Sequence, residues 1–305
     1  MGGYLFAHFI GEQPDGEQIY FSVSRDGLHW TDLNGGLPVL RSQIGEKGVR
    51  DPFLVRNEEK GKVYLIATDL CIGSGTSWAD SQSVGSRAII VWESEDLVHW
   101  SEARSVRVGV EGAGCVWAPE SIYDRDQEAF FVFWASMIKL EGDASPKQRI
   151  YGAYTKDFCT FTEPQVYLEA ENHVIDMNIV EDNGWYYRFV KDEMTKKVRA
   201  DKVKRLWDET AVPIASQALD ALFGVEGPEA YRLPDGRWCL IVDQFGSGKG
   251  YLPLLCKDLD TGAFTVAPND AYHFGQTKKR HGGILPVTEQ ELVRLEETLS
   301  GRKNG

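Results

Sequence analysis

VRDPFLV at 49–55, VWAPESI at 116–122, VIDMNIV at 174–180, VEGPEAY at 225–231 and RHGGILPV at 280–287 are five versions of one segment. Each ends a loop, opens an apolar strand and carries an acidic or histidine residue near its start: Asp51, Glu120, Asp176, Glu226 and His281. The steps between these residues are 69, 56, 50 and 55. Strand-built units recurring every ~50–70 residues mark a β-propeller, in which each unit is one blade. The series predicts five blades, with each innermost strand presenting one polar residue to a shared axis.

The rest of the chain fits that frame. Short apolar runs such as VYLIATDL (63–70), AFFVFWAS (129–136), WYYRFVK (185–191) and WCLIVDQF (238–245) read as strands, with Asn183-Gly184 and Asp235-Gly236 as turns between them. A second repeat, Ser-x-Asp-x-x-x-Trp, occurs as SRDGLHW (24–30) and SEDLVHW (94–100). TKDFCTF (155–161) and KDLDTGAF (257–264) are looser copies. After His281 only one strand precedes a helix, announced by a capping box at Thr288–Glu291 and by Leu292, Leu295 and Leu299. The fifth blade therefore needs outer strands from elsewhere. The N-terminal runs 4–10, 18–24 and 29–33 can supply them and remove an open sheet edge. The expected fold is all-β: a five-bladed β-propeller, closed by N-terminal strands and ending in a short helix, as one domain over 1–305.

Composition narrows the function. A net charge of −13 repels phosphate backbones and anionic lipid, so nucleic acid and membrane surfaces are not expected partners. The five cysteines are odd in number and show no C-x-x-C pair, which suggests neither a disulfide framework nor a zinc site. MGGYLFAHFIGE lacks a basic leader region and reads as a strand. A cytoplasmic setting is expected, or a secreted one if a leader has been removed. Oligomeric state is not readable.

Asp-Pro in the first unit, W-A-P plus an acid in the second, I-D in the third, E-G-P in the fourth and R-H-G in the fifth together resemble glycoside hydrolase family 43. The resemblance spans nearly the whole chain and keeps the family's order. It implies an inverting glycosidase acting on arabinose- or xylose-containing glycans. In that reading Asp51 is the general base, Glu226 the general acid and Glu120 the residue that orients the acid and raises its pKa. Glu120 stands where the family usually has Asp. Asp176 resembles the third-blade acid near the pocket floor. His281 resembles a central histidine that contacts an axial calcium ion or water cluster. Retaining fructosidases also carry R-D-P, but the nucleophile strand they need upstream is missing before Arg50.

The chemistry explains why three acids are wanted. Inversion needs a carboxylate and a carboxylic acid about 6.5–9.5 Å apart, with water between them. A third carboxylate nearby keeps the acid protonated. No cofactor is needed for the bond breaking. Each residue also has a plain structural reading. Asp51 can be a turn residue, His281 a bonded core histidine, and Arg280 can pair with a hydroxyl or carboxylate or stay solvated. Strand alternation puts Glu226 and Glu229 on opposite faces, so only one of them should face the pocket. Phe53, Trp78, Trp117 and Trp134 are candidate sugar platforms, with Trp78 in a long Gly/Ser-rich loop (71–87) that would rim the pocket. Trp30, Trp92 and Trp100 read as core. The expected activity is an exo-acting α-L-arabinofuranosidase on arabinan- or arabinoxylan-derived glycans. The same fold also allows a β-xylosidase or β-galactofuranosidase. A non-catalytic carbohydrate-binding propeller and a protein-interaction propeller are alternatives of another class.

Overall fold

In the computed structural model, which describes residues 2–208 and 210–300, the apolar runs form five four-stranded antiparallel sheets. The chain begins with β1 (Gly3–His8), β2 (Tyr20–Ser24) and β3 (Thr31–Asp32). Blade I is β4 (Val49–Asn57), β5 (Lys62–Asp69), β6 (Ala88–Ser94) and β7 (Arg104–Arg107). Blade II is β8 (Trp117–Asp124), β9 (Ala129–Ile138), β10 (Lys147–Thr155) and β11 (Gln165–Leu168). Blade III is β12 (Val174–Asp182), β13 (Trp185–Asp192), β14 (Lys197–Val203) and β15 (Val212–Ile214). Blade IV is β16 (Glu226–Arg232), β17 (Trp238–Asp243), β18 (Tyr251–Cys256) and β19 (Thr265–Val266). Last comes β20 (Gly282–Val287), which pairs with β1 so that blade V has the order β20-β1-β2-β3. The five expected inner strands, and closure by the N-terminal strands, are both present. Each inner strand touches the next around the ring.

The second strand of each blade explains the unbroken apolar runs. A strand covered on both faces needs apolar side chains at every position. In β9, Phe131, Phe133 and Ala135 pack toward blade III, while Phe130, Val132 and Trp134 pack toward blade I. In β17, Trp238, Leu240 and Val242 face blade III, and Cys239 and Ile241 face blade V. The core is thus five separate layers, one at each blade interface. Each fully buried large apolar side chain contributes about 1.5–3 kcal/mol. Trp30 and Trp92 lie in these layers, and Trp100 packs against one of them, as the sequence predicts.

The Ser-x-Asp repeat proves to be a turn held by its own side chains. Asp26 Oδ1 accepts from the backbone N–H groups of Leu28 and His29, both at 2.8 Å. Asp96 does the same with Val98 and His99, and Asp157 with Cys159 and Thr160. The hydroxyls of Ser24, Ser94 and Thr155 accept from the residue three places on. Such turns need only a short carboxylate and a hydroxyl at fixed spacing, which is why the motif recurs between the third and fourth strands of blades V, I and II.

Closure of the ring has an ionic latch. The Asp32 carboxylate accepts from the N–H groups of Gln276 (2.9 Å) and Thr277 (2.7 Å) and pairs with the Lys279 ammonium. Lys279 is fully buried, and burial pushes its ammonium pKa down against the pull of Asp32. The latch joins β3 to the segment that leads into β20. Helix α3 (Glu289–Leu299) then seats Leu292 and Leu295 on the blade V–I layer, with the expected capping box at Thr288 and Glu291. Two shorter helices, α1 (Trp78–Ser83) and α2 (Gln217–Ala221), lie in loops. Among the described residues no helix is long and apolar enough to cross a membrane, and all five cysteines are free thiols.

Asp32→Asn strands a buried ammonium. It should lower the free energy of unfolding by about 3 kcal/mol in urea titration. Arg25→Ala, which breaks exposed pairs with Glu289 and Glu296, should cost less than about 1 kcal/mol. Equal losses for the two variants would contradict the latch.

Candidate active site

Four of the five inner strands carry the same irregularity near their start. Pairing slips between Arg50 and Phe53, Trp117 and Glu120, Ile175 and Met177, and Glu226 and Glu229. At each slip one residue takes a left-handed backbone: Asp51 (φ 50°), Ala118 (48°), Asp176 (50°) and Gly227 (51°). Non-glycine residues seldom adopt this conformation, and Asp tolerates it better than most. A bulge re-aims side chains, and here it sorts the polar residues into two tiers. Asp51 and Asp176 share the bulge position. Counting from the paired anchors, Phe53, Glu120, Asn178 and Glu229 share the position just below it.

The upper tier surrounds His281. Its Nδ1 lies 3.5 Å from Asp51 Oδ1 and 3.8 Å from Asp176 Oδ1, and its Nε2 lies 3.7 Å from Glu120 Oε1. Burial pulls the imidazolium pKa down, but Asp176, Glu120 and Asp51 outweigh it, and the pKa rises to about 10. Asp51 Oδ2 accepts from the Thr68 hydroxyl at 2.8 Å, and that hydroxyl accepts from the Ala118 N–H at 2.8 Å. Asp176 Oδ2 accepts from the Gly227 N–H at 3.2 Å. Gly227 is required here, because a Cβ would fall 2.8 Å from the His281 ring. Burial lifts the Asp176 carboxyl to about 6, with the negative charge of Glu226 adding to the rise and His281 opposing it.

Glu226 is bound at both oxygens. Lys191 Nζ stands 2.6 Å from Oε2 and Arg280 Nη2 stands 3.0 Å from Oε1. Burial would raise its pKa, but Lys191, Arg280 and His281 overcome burial and hold the carboxyl below its ordinary value. Arg280 is therefore an ion-pair residue: its Nε also binds Asp243 Oδ2 at 2.5 Å.

The lower tier is sealed. Asn178 Nδ2 donates to Glu120 Oε2 (2.9 Å) and to Glu229 Oε2 (2.7 Å), while Glu229 Oε1 accepts from the Ile284 N–H (2.8 Å). Burial pushes the Glu120 carboxyl up to about 7, against His281 and Asn178. Burial raises Glu229 further, and Glu120 adds to it. Phe53 closes this level against blade V, where Gly283 allows contact: a Cβ there would sit 3.0 Å from the Phe53 backbone.

Side-chain exposure decides which carboxylates a ligand can reach. It is 14% for Asp51 and 18% for Glu226, against 10% for Asp176 and 4% for Glu120. Asp51 and Glu226 come from blades I and IV, which blade V separates.

Aromatic rings flank Arg50, the neighbour of Asp51. Arg50 is held between the Phe9 ring (4.4 Å) and the Trp78 ring (5.1 Å), and its Nη1 binds Glu12 (2.9 Å) and Glu17 (2.8 Å). Glu17 also accepts from the N–H groups of Ile72 and Gly73, which pins the 71–87 loop. Trp78 stays 47% exposed, edge-on to Trp117 at 6.0 Å.

Two expectations change. Trp134 is not a platform: strand alternation turns it into the blade I–II layer, where it is buried. Glu226 and Glu229 both reach the axis, at different depths, because the bulge adds a residue between them. For the axial calcium ion, the described residues show no arranged ligand set. Calcium takes about six to eight oxygen ligands. Here the nearby carboxylates already balance an imidazolium, and among the described residues no group of three or more His, Cys, Asp or Glu is arranged for a metal. Lys191, Asn178, Thr68 and Asp243 were not singled out from the sequence. Thr68, Lys191 and Asp243 occupy matching places on the second strands, opposite Arg50, Ile175 and Glu226. Register counting across the blades would have found them.

Five blades around an axial cluster of carboxylates define a propeller of the glycosidase class. A family profile described as "Probable glycosyl hydrolase domain", related to glycosyl hydrolase family 43, matches residues 1–293, and the chain belongs to that family. It is 33% identical over 210 residues to an α-L-arabinofuranosidase of Bifidobacterium longum subsp. longum; the match covers 63% of this chain. It spans only 20% of that protein's length. Among solved structures, the fold is similar to an endo-1,4-β-xylanase of Bacteroides thetaiotaomicron (TM-score 0.60, 16% identity, 87% of this chain and 91% of that one). It is also similar to a thermostable family-43 glycoside hydrolase (TM-score 0.53, 17% identity, 75% of each chain).

If the three carboxylates hold His281 charged, NMR at pH 8 should show an imidazolium at this residue, where an ordinary histidine is neutral. A neutral ring at that pH would refute the charge balance described.

Proposed function

We propose that the protein is an inverting, exo-acting α-L-arabinofuranosidase that trims arabinose from oligosaccharides of arabinan or arabinoxylan. The observation that carries this reading is the pair Asp51 and Glu226, the most accessible carboxylates of the ring, brought to the axis from blades I and IV. In this reading Asp51 takes a proton from a water molecule as the water oxygen attacks the anomeric carbon. Glu226 gives a proton to the departing glycosidic oxygen, and the anomeric configuration inverts. The similarity to an α-L-arabinofuranosidase favours arabinose over xylose as the sugar. β-Xylosidase and β-galactofuranosidase activities are the alternatives on the same fold.

We assign the third carboxylate to Asp176 rather than to Glu120. Asp176 accepts a hydrogen bond from the residue next to Glu226, and its charge acts on Glu226. Glu120 lies a tier lower, bonded to Asn178. It supports His281 from beneath. Trp78 and Trp117 are the platform for the rest of the oligosaccharide.

A panel of nitrophenyl glycosides tests the sugar, with release from the α-L-arabinofuranoside expected. NMR of the first product anomer tests inversion. Asp51→Asn should lower kcat about 10²–10⁴-fold. Asp176→Asn should shift the pH profile, whereas Glu120→Gln should chiefly lower stability. Turnover of every glycoside unchanged in Asp51→Asn and Glu226→Gln would end the catalytic reading in favour of a binding propeller.

A further inference from the structure

Lys191 is buried at the end of β13, with its side chain 3% exposed, and it faces two acids at once. Its Nζ is 2.6 Å from Glu226 Oε2 and 2.7 Å from Glu193 Oε2. The ammonium also lies 4.3 Å over the Phe245 ring, so its position is fixed on that side. Glu193 is on the turn between β13 and β14. It is 31% exposed and is shared with Lys196. Arg280 occupies the other oxygen of Glu226, so no oxygen of that carboxyl is free.

This arrangement conflicts with a simple proton donor. A proton on Oε2 and an ammonium at 2.6 Å compete for the same lone pairs. Arg280 cannot release Glu226 as readily, because it is also tied to Asp243. Lys191 has a second partner already within ion-pair range. It can give up Oε2 without losing a counter-ion.

We propose that Lys191 is a positioning residue that orients Glu226 and sets when it can carry a proton, by dividing its charge between Glu226 and Glu193. This rests on Glu226 being the general acid. Lys191 acts through the Glu226 carboxyl that it orients at Oε2. The charged groups around Glu226 are Lys191 from β13, Asp176 from β12, Asp243 from β17, Arg280 and His281 before β20, and Asp51 across the axis. Lys191 is the one of these that also reaches a carboxylate on an exposed turn.

The test is the pH dependence of kcat/KM on an arabino-oligosaccharide, whose poor leaving group needs the acid. The high-pH limb reports loss of the proton from Glu226; the low-pH limb reports Asp51. Removing a cation from a carboxylate raises the carboxyl pKa. Lys191→Met should therefore move the high-pH limb upward by about one pH unit or more and leave the low-pH limb in place. Lys191→Arg should restore it. Glu193→Gln leaves the full charge of Lys191 on Glu226, so the same limb should move downward. Because Glu193 is on the surface, that variant serves even if Lys191→Met fails to fold. Unmoved limbs in Glu193→Gln and in any folded Lys191→Met, with only kcat reduced, would overturn the proposal.

Glu226→Gln is measured beside them on the oligosaccharide and on a nitrophenyl glycoside. A loss that shrinks on the nitrophenyl substrate keeps the acid assignment even if the Lys191 proposal falls. An equal loss on both substrates removes the assignment itself, and the proposal with it.

Discussion

The imidazolium of His281 stands between Asp51, Glu120 and Asp176, at 3.5 to 3.8 Å from each. These acids come from three different blades. Brought together without a counter-ion, they would repel one another in a buried, weakly screened space. The other acids of the cluster are balanced differently. Glu226 has Lys191 and Arg280, while Glu229 has Asn178 and a backbone N–H. The outcome is a gradient along the axis. Carboxylates near the mouth meet fixed cations. Those at the bottom are driven toward their neutral forms by burial. One ring of similar side chains thereby acquires unlike proton affinities.

The bulges make this gradient possible. In a regular strand, residues three apart face opposite ways. The extra residue in β16 lets Glu226 and Glu229 both point inward at different depths. The same slip separates Arg50 and Phe53 in β4. Each bulge places one residue in a left-handed backbone, which is costly for most side chains. The sequence meets that cost with Asp twice, Ala once and Gly once.

The blade plan was legible because it rests on spacing and on local chemistry. Inner strands recur at near-constant intervals, and the Ser-x-Asp turns close on their own side chains. The two-tier site was not legible in the same way. Nothing in E-G-P announces that strand alternation fails there, so Glu229 looked like a competitor of Glu226 rather than its neighbour below. Lys191 sits in an apolar run, WYYRFVK, and its role depends on a partner from another blade. Trp134 shows the opposite error. An aromatic ring near a motif was read as sugar-facing, when the demand of a doubly covered strand for large side chains was enough to explain it.

Pairing of β1 with β20 also sets an order of events during synthesis. Within the propeller β1 is the first strand made and β20 the last. Until then one edge of the N-terminal sheet has no mate. Such an edge is open to pairing with other chains. Contacts of this sequence separation form slowly. Blades I to IV can stack as they emerge, but the ring gains its final seam only once β20 has been made. The buried Asp32–Lys279 pair lies on that seam. The time before closure is therefore the interval in which this sheet is most exposed to misassembly.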